Sequence, residues 1–408
     1  MPTSTAKALA GLRVLELSAL SGAVCGRVLA DLGAEVIKLE PEGGEDFRRS
    51  LPRIPTRLGE ESAAWLAFNF GKKSVTCDPD TDDGLKRFAA LARSADIIVT
   101  DWERMNLDAM DRLAAIARQA NPAVIWTEIL PFGRGNPYER CAATDTTLQA
   151  LGGHLYLNGD VDRPPVRIGL PVGLIQGGAE AASAALMAYW HRLKTGEGQR
   201  VDISVQACIV WTLLNSTMAW QILGLNEMRG GAIRKERANR FFTRVVWETR
   251  DGHIFFGPVG GGGGRAREKS YEALLGWMAE HGFTDEILTR HDWNGEGQFA
   301  IPQEEYDAVT GVIADFIKTR ATRELIDRAV RERILLAPIS TIDGVFQNAH
   351  FRARGLFVPL RDDRRGLDVE LPASWVRMGA TPLTIPSPAP VPGANDADFS
   401  DMVQGVPA

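Results

Sequence analysis

The apolar and polar positions change rhythm in a regular way along the first half of the chain. Gly11-Leu-Arg-Val-Leu-Glu-Leu-Ser18 is a short apolar run closed by a small-residue turn, the pattern of a buried strand. Ala23 to Leu32 has helical spacing and stops at Gly33, and Ala34 to Glu40 is a second strand closed by Pro41-Glu-Gly-Gly. A β-α-β unit of this kind predicts parallel strands and a right-handed crossover. The alternation continues through an amphipathic helix at Asp83–Ser94, a strand at Ala95–Thr100, a helix at Leu107–Gln119 and a strand at Pro122–Ile129. Strands and helices in strict alternation predict a three-layer α/β domain. A Pro- and Gly-rich extended stretch from Arg163 leads to a helix expected to begin near Gly178 and to run through Tyr189 and Trp190. Val201 to Val205 alternates as a half-buried strand.

From about residue 225 the pattern changes. A Gly- and Arg-rich linker around Arg229 precedes a smaller α+β unit with strands at Val245–Thr249 and His253–Phe256. Its helices are expected at Glu268–Glu280, Gln303–Thr319 and Thr322–Glu332. The division expected is 1–222 for the large domain, completed by 335–408, and 223–334 for the small domain with its linkers. The Pro-rich tail from Pro382 to Pro392 has few ways to fold alone and is expected to wrap a neighbour.

Composition narrows the function classes. The 408 residues are 45% hydrophobic and 24% charged, with a formal charge of −6, and no basic stripe points to nucleic acid. Cys25, Cys77, Cys141 and Cys208 are widely spaced, as are His154, His191, His253, His281, His291 and His350, so neither a disulfide framework nor a metal set is expected. The first residues are polar, and no run approaches the roughly 18 apolar residues of a membrane span. A cytoplasmic location with no membrane partner is the expectation. The first β-α turn lacks G-x-G-x-x-G, which argues against a dinucleotide fingerprint.

Several stretches, in order, resemble the class III (CaiB/BaiF) CoA-transferases, the family that also holds the α-methylacyl-CoA racemases. They are Ala30-Asp-Leu-Gly-Ala-Glu-Val-Ile-Lys-Leu-Glu40, Phe132-Gly-Arg-Gly-Asn-Pro-Tyr138, Asp145 with Gln149 and Ala150, and Lys194-Thr-Gly-Glu-Gly-Gln-Arg-Val-Asp-Ile-Ser204. The resemblance runs from Gly11 to about Asn395. It implies a large Rossmann-like three-layer domain joined by long linkers to a small α+β domain, in an interlocked dimer.

The family's active-site segment reads roughly Gly-x-Pro-x-x-Asp-x-x-x-Gly, and its Asp is the catalytic carboxylate. Gly169, Pro171 and Gly178 match, but Leu174 stands at the Asp position, and Thr144 at the position of the racemase His. Acyl capture needs an ionisable nucleophile, and leucine has none. Of the nearby carboxylates, Asp160 and Asp162 read as turn residues and Glu180 is the candidate substitute, whereas Gln149, Gln176 or Glu180 would serve a different acyl-CoA chemistry. For coenzyme A the resemblance leaves Lys72, Lys73 and Trp102, whereas Pro41 and Ala109 stand where basic residues hold phosphates. Gly260, Gly261, Gly262, Gly263 and Gly264 resemble a glycine lid of the family.

The resemblance therefore implies a non-catalytic subunit of a heteromeric CoA-transferase, like the Asp-less subunit of the succinyl-CoA:benzylsuccinate CoA-transferases. Its partner would be an Asp-bearing homologue, in a heterodimer or heterotetramer. Its substrates would be CoA esters and small carboxylic acids, with CoA bound by the partner. The aromatic character around Phe241, Phe242 and Trp247 favours a hydrophobic or aromatic acid. The alternatives are a homodimeric acyl-CoA enzyme of lyase or hydratase type, and a CoA-ester-binding scaffold.

Overall fold

A computed structural model describes residues 7–236, 241–257, 264–290, 301–383 and 387–401. The chain divides into two compact units, one formed by 1–154, 168–213 and 346–408, the other by 155–167 and 214–345.

The larger unit is built on six parallel strands. Across the sheet they run Lys73–Thr76, Glu35–Glu40, Arg13–Leu17, Ile97–Asp101, Ile125–Leu130 and Arg200–Ser204. Side chains of a strand alternate between faces, so each strand feeds two cores. Val14, Val36, Val99 and Ile129 face the first helix (Leu20–Asp31) and the long helix (Val172–Thr195). Leu15, Ile37, Ile98 and Leu130 face Phe88 and Leu91 of the Asp82–Ala92 helix and Met110 and Leu113 of the Leu107–Ala120 helix. This is the predicted three-layer α/β arrangement.

Strand order reverses beside Arg13–Leu17, whose neighbours are the second strand on one side and Ile97–Asp101 on the other. In open parallel sheets, ligands bind at such a reversal, outside the carboxyl ends of the strands. Here those ends lead into Ser18–Ser21 and Asp101–Glu103.

Two expectations are corrected. The long helix begins at Val172, about two turns before Gly178. Its glycines admit protein rather than ligand: a Cβ on Gly178 would lie 2.3 Å from Ser21 O and 2.7 Å from Val24 Cβ of the first helix. The tail, in turn, folds back on its own unit. Gly71 N–H donates to Ser387 O at 2.8 Å, Ala389 is buried, Asn395 N–H donates to Ser74 O at 2.9 Å, and Thr76 N–H donates to Asp396 Oδ1 at 2.7 Å. The edge strand supplies the backbone partners that a Pro-rich segment cannot supply itself.

The smaller unit has a three-stranded antiparallel sheet of Val246–Glu248, His253–Phe256 and Leu336–Pro338. Helices Gly264–Glu280, Gln303–Lys318 and Thr322–Glu332 pack against it around Trp247, Trp277 and Phe316. A hairpin, Ile233–Glu236 with Phe241–Arg244, stands apart from that sheet. The Leu214–Leu223 helix buries none of its residues, and exposes Met218, Trp220, Ile222 and Leu223. Among the described residues no helix is long and apolar enough to cross a membrane.

Candidate active site at the reversal of strand order

Two helices of the larger unit start without a side-chain cap of their own, because the capping positions hold Ala19 and Pro171. Carboxylates from distant segments satisfy them instead. Asp101, fully buried, accepts from Ala19 N–H and Gly22 N–H at 3.0 Å and from Ser21 Oγ at 3.1 Å. Asp145 Oδ1 accepts from Gly173 N–H at 2.9 Å and Leu174 N–H at 3.2 Å. Orphan N–H groups at a helix start favour an anion, which explains acidic groups at both.

Leu174 therefore sits in the first turn of the long helix, 6% exposed, in the apolar core shared with the first helix and the sheet. The side chain is hydrocarbon, and the backbone donors around it are taken by Asp145. Gln149 joins this group, donating from Nε2 to Asp145 Oδ2. It is 1% exposed, and its Oε1 has no hydrogen-bond partner among the described residues. Thr144 is exposed and caps the Asp145–Leu151 helix, accepting from Thr147 N–H at 3.3 Å.

Glu180 is six residues past Leu174, which places it about 120° round the helix. It is half-buried, accepts from Gln176 Nε2 at 2.8 Å, and with burial helps raise the Cys208 thiol to about 11, burial being the larger cause. Leu174, Gln149 and Thr144 thus gather near one helix end through Asp145, and Glu180 and Gln176 lie on another side.

The residue that sequence reading passed over is Glu103. It is exposed as a whole, but its carboxylate end is tucked against the first helix, where Oε2 accepts from Ser21 N–H at 3.1 Å and Ser21 Oγ at 3.2 Å. Desolvation of that end, then the negative charge of Asp101, push its carboxyl up to about 8, and Asp145 adds a smaller push. Desolvation raises Asp101 as well. A carboxyl that holds its proton near neutral pH is a candidate general acid or base. Nothing local marks it, since its partner Ser21 is 82 residues away.

The lysines lie elsewhere in the unit. Lys72 is buried, and its ammonium donates to Glu16 Oε2 at 2.7 Å, Ala23 O at 2.8 Å and Asn69 Oδ1 at 2.9 Å. Those three bonds engage all its donors, leaving none for a phosphate. Burial is the main cause of a Lys72 pKa lowered to about 8, against the opposing pull of Glu16. Lys73 is half-exposed, 2.9 Å from Glu35 Oε1 and over the Phe399 ring. Trp102 is half-buried against both cores. Gly260, Gly261, Gly262 and Gly263 lie outside the described residues, and Gly264 opens the Gly264–Glu280 helix. Among the described residues no three His, Cys, Asp or Glu side chains form a metal-ligand group.

Comparison with known proteins places this chain in a family. The profile of CoA-transferase family III matches residues 9–396. The chain is 30% identical over 394 residues to the succinate–glutarate CoA-transferase of Agrobacterium fabrum, covering 95% of this chain and 94% of that protein. It is 24% identical over 368 residues to subunit BbsE of the succinyl-CoA:(R)-benzylsuccinate CoA-transferase of Thauera aromatica, covering 90% and 87%. A crystal structure of a CAIB/BAIF family protein from Brucella suis superposes with a TM-score of 0.81 at 26% identity, covering 97% of this chain and 99% of that one. The full-length match and the shared fold agree, and the chain belongs to CoA-transferase family III.

Proposed function

We propose that this chain is the subunit without a nucleophile in a heteromeric class III CoA-transferase, one that moves CoA between carboxylic acids. An aromatic or hydrophobic acid would be the acceptor, and an Asp-bearing homologue the partner. One observation carries the reading. The residue at the head of the long helix, where the family pattern has its Asp, is Leu174, and it is packed into the core. Transfer through an acyl-enzyme begins when a carboxylate oxygen attacks the thioester carbonyl and CoA thiolate leaves. A buried isobutyl group offers no lone pair for that step, and Asp145, the nearest carboxylate bonded to this helix end, has one oxygen held by two backbone N–H groups.

Two further features support a partner. The Lys72 donors that a CoA phosphate would need are engaged inside the domain, which suits CoA binding by the other subunit. Met218, Trp220, Ile222 and Leu223 are exposed apolar side chains on one helix, and a patch of that kind marks an interaction surface.

The test is co-expression with an Asp-bearing family member encoded beside it. A stable mixed complex that transfers CoA, with no transfer by this chain alone, is expected. Transfer by the purified single chain at a rate comparable to the complex would reject the proposal.

A second reading has a specific observation behind it. Glu103, pushed up to about 8 at the reversal of strand order, is suited to moving a proton next to a thioester carbonyl. On that reading a homodimer performs a lyase- or hydratase-like step. Solvent deuterium incorporation into an acyl-CoA by the single chain, lost in Glu103→Gln, would favour it.

A further inference from the structure

The loop Leu155–Arg167 belongs to the smaller unit, and the chain runs from it through Ile168–Pro171 into the head of the long helix at Val172. Its regular structure is a short 3-10 turn, Leu155–Leu157, and Pro164 and Pro165 lack an N–H, so its carbonyl groups need donors from elsewhere. Asn158 draws the two ends together. Its Nδ2 donates to Val166 O at 2.8 Å, and its carbonyl oxygen accepts from Val166 N–H at 3.1 Å.

Arg229 fills the middle of that loop from a segment 62 residues beyond Arg167. It is half-buried, its Nε donates to Asp160 O at 3.0 Å and Arg163 O at 3.2 Å, and its Nη2 donates to Arg163 O at 2.9 Å. The guanidinium also lies 5.7 Å from the centre of the Tyr156 ring. A planar fork of donors holds two carbonyl groups in one geometry, which the single ammonium of a lysine does not. The backbone beside it comes as close: a Cβ on Gly231 would lie 2.0 Å from Asp160 Oδ1.

The linker that carries Arg229 is tied at its other end as well. Ser216 Oγ, on the Leu214–Leu223 helix, donates to Glu227 Oε2, and both residues are half-buried. That helix is the one that exposes Met218, Ile222 and Leu223. Helix, linker and loop are thus joined by two side-chain contacts, two residues apart in the linker.

We propose that Glu227 and Arg229 make this linker a strap, which ties the exposed Leu214–Leu223 helix to the loop leading into the long helix. Arg229 is its positioning residue. Whatever holds or covers the exposed helix is then felt in Ile168–Leu174, and a change at Ile168–Leu174 is felt in return. The strap is a property of the single chain and does not depend on which reaction the family member performs. A continuous row of contacts is not itself coupling, and a double-mutant cycle measures whether the row carries any.

The experiment is hydrogen exchange of the full chain, read by mass spectrometry on peptides spanning Val166–Leu174. Arg229→Ala should speed exchange there by about fivefold or more, and Ser216→Ala, which touches neither loop nor helix head, by about twofold to threefold. Ser216→Ala should add nothing in the Arg229→Ala background. Arg229→Lys keeps the charge without the fork and should resemble Arg229→Ala, and it replaces that variant in the cycle if the alanine protein does not fold. Unchanged exchange in the Ile125–Leu130 core strand shows that each variant is folded. Wild-type exchange over Val166–Leu174 in a folded Arg229→Ala protein, or full protection in Arg229→Lys, would overturn the role of Arg229. An equal effect of Ser216→Ala in both backgrounds would overturn the strap.

Discussion

At the scale of single residues, Leu174 and Glu103 sit at the starts of two different helices and have opposite characters. Leu174 is packing: Leu174→Ala should lower stability by about 2–3 kcal/mol in chemical denaturation and leave transfer by a mixed complex within about twofold. A large loss of transfer with unchanged stability would give Leu174 a role that its burial does not suggest. Glu103 is electrostatic. Its carboxyl is raised in the folded chain from 4.5 to about 8. Between those values the folded state holds a proton that the unfolded state has released, so stability falls as pH rises through that window, and below 4.5 the group contributes no slope. Melting temperatures of wild type and Glu103→Gln should therefore diverge from pH 5 to pH 8.5, with wild type losing more. Parallel curves would show that Glu103 titrates normally.

At the scale of elements, the larger unit depends on two helices that begin where local sequence offers no cap. Asp101 and Asp145 supply the caps, from positions 79 and 28 residues away from Gly22 and Gly173. The helices also meet closely at Gly178. A Cβ there would press on the Ser21 carbonyl oxygen, a backbone atom with little freedom to move. Gly178→Ala should cost about 1–3 kcal/mol or more from overpacking, even though alanine is the better helix former by about 1 kcal/mol. A stabilised Gly178→Ala protein would mean that the two helices are not held at this separation. The same contact explains why sequence reading began the long helix about two turns late. Gly173, Gly177 and Gly178 read as loop residues by themselves, and as helix only when the neighbours that exclude a side chain are known.

At the scale of the whole molecule, the Leu214–Leu223 helix offers apolar surface that an assembly would cover. Ile222 is 69% exposed and Leu223 65% exposed, and neither has an apolar neighbour that buries it. Association that covers such surface contributes roughly 25 cal/mol per Å². Ile222→Glu should leave each unit folded but shift the protein toward a single chain, or weaken its assembly with an Asp-bearing partner, as read by light scattering after size exclusion. An unchanged assembly state would place the interface elsewhere.

The sequence by itself determined the parallel α/β layering and the small α+β unit. Those follow from hydrophobic period and turn chemistry, which are local and therefore written in order along the chain. It also carries the resemblance on which the proposed role of Leu174 rests. Only the tertiary structure decided which charges are internal supports and which face a site. Glu16, 56 residues away, holds the Lys72 ammonium inside the domain, and Ser21, Asp101 and Asp145 set the environment of Glu103. The pKa and the free donors of a side chain depend on what lies within a few ångströms of it, and folding brings those neighbours from segments that sequence order keeps apart.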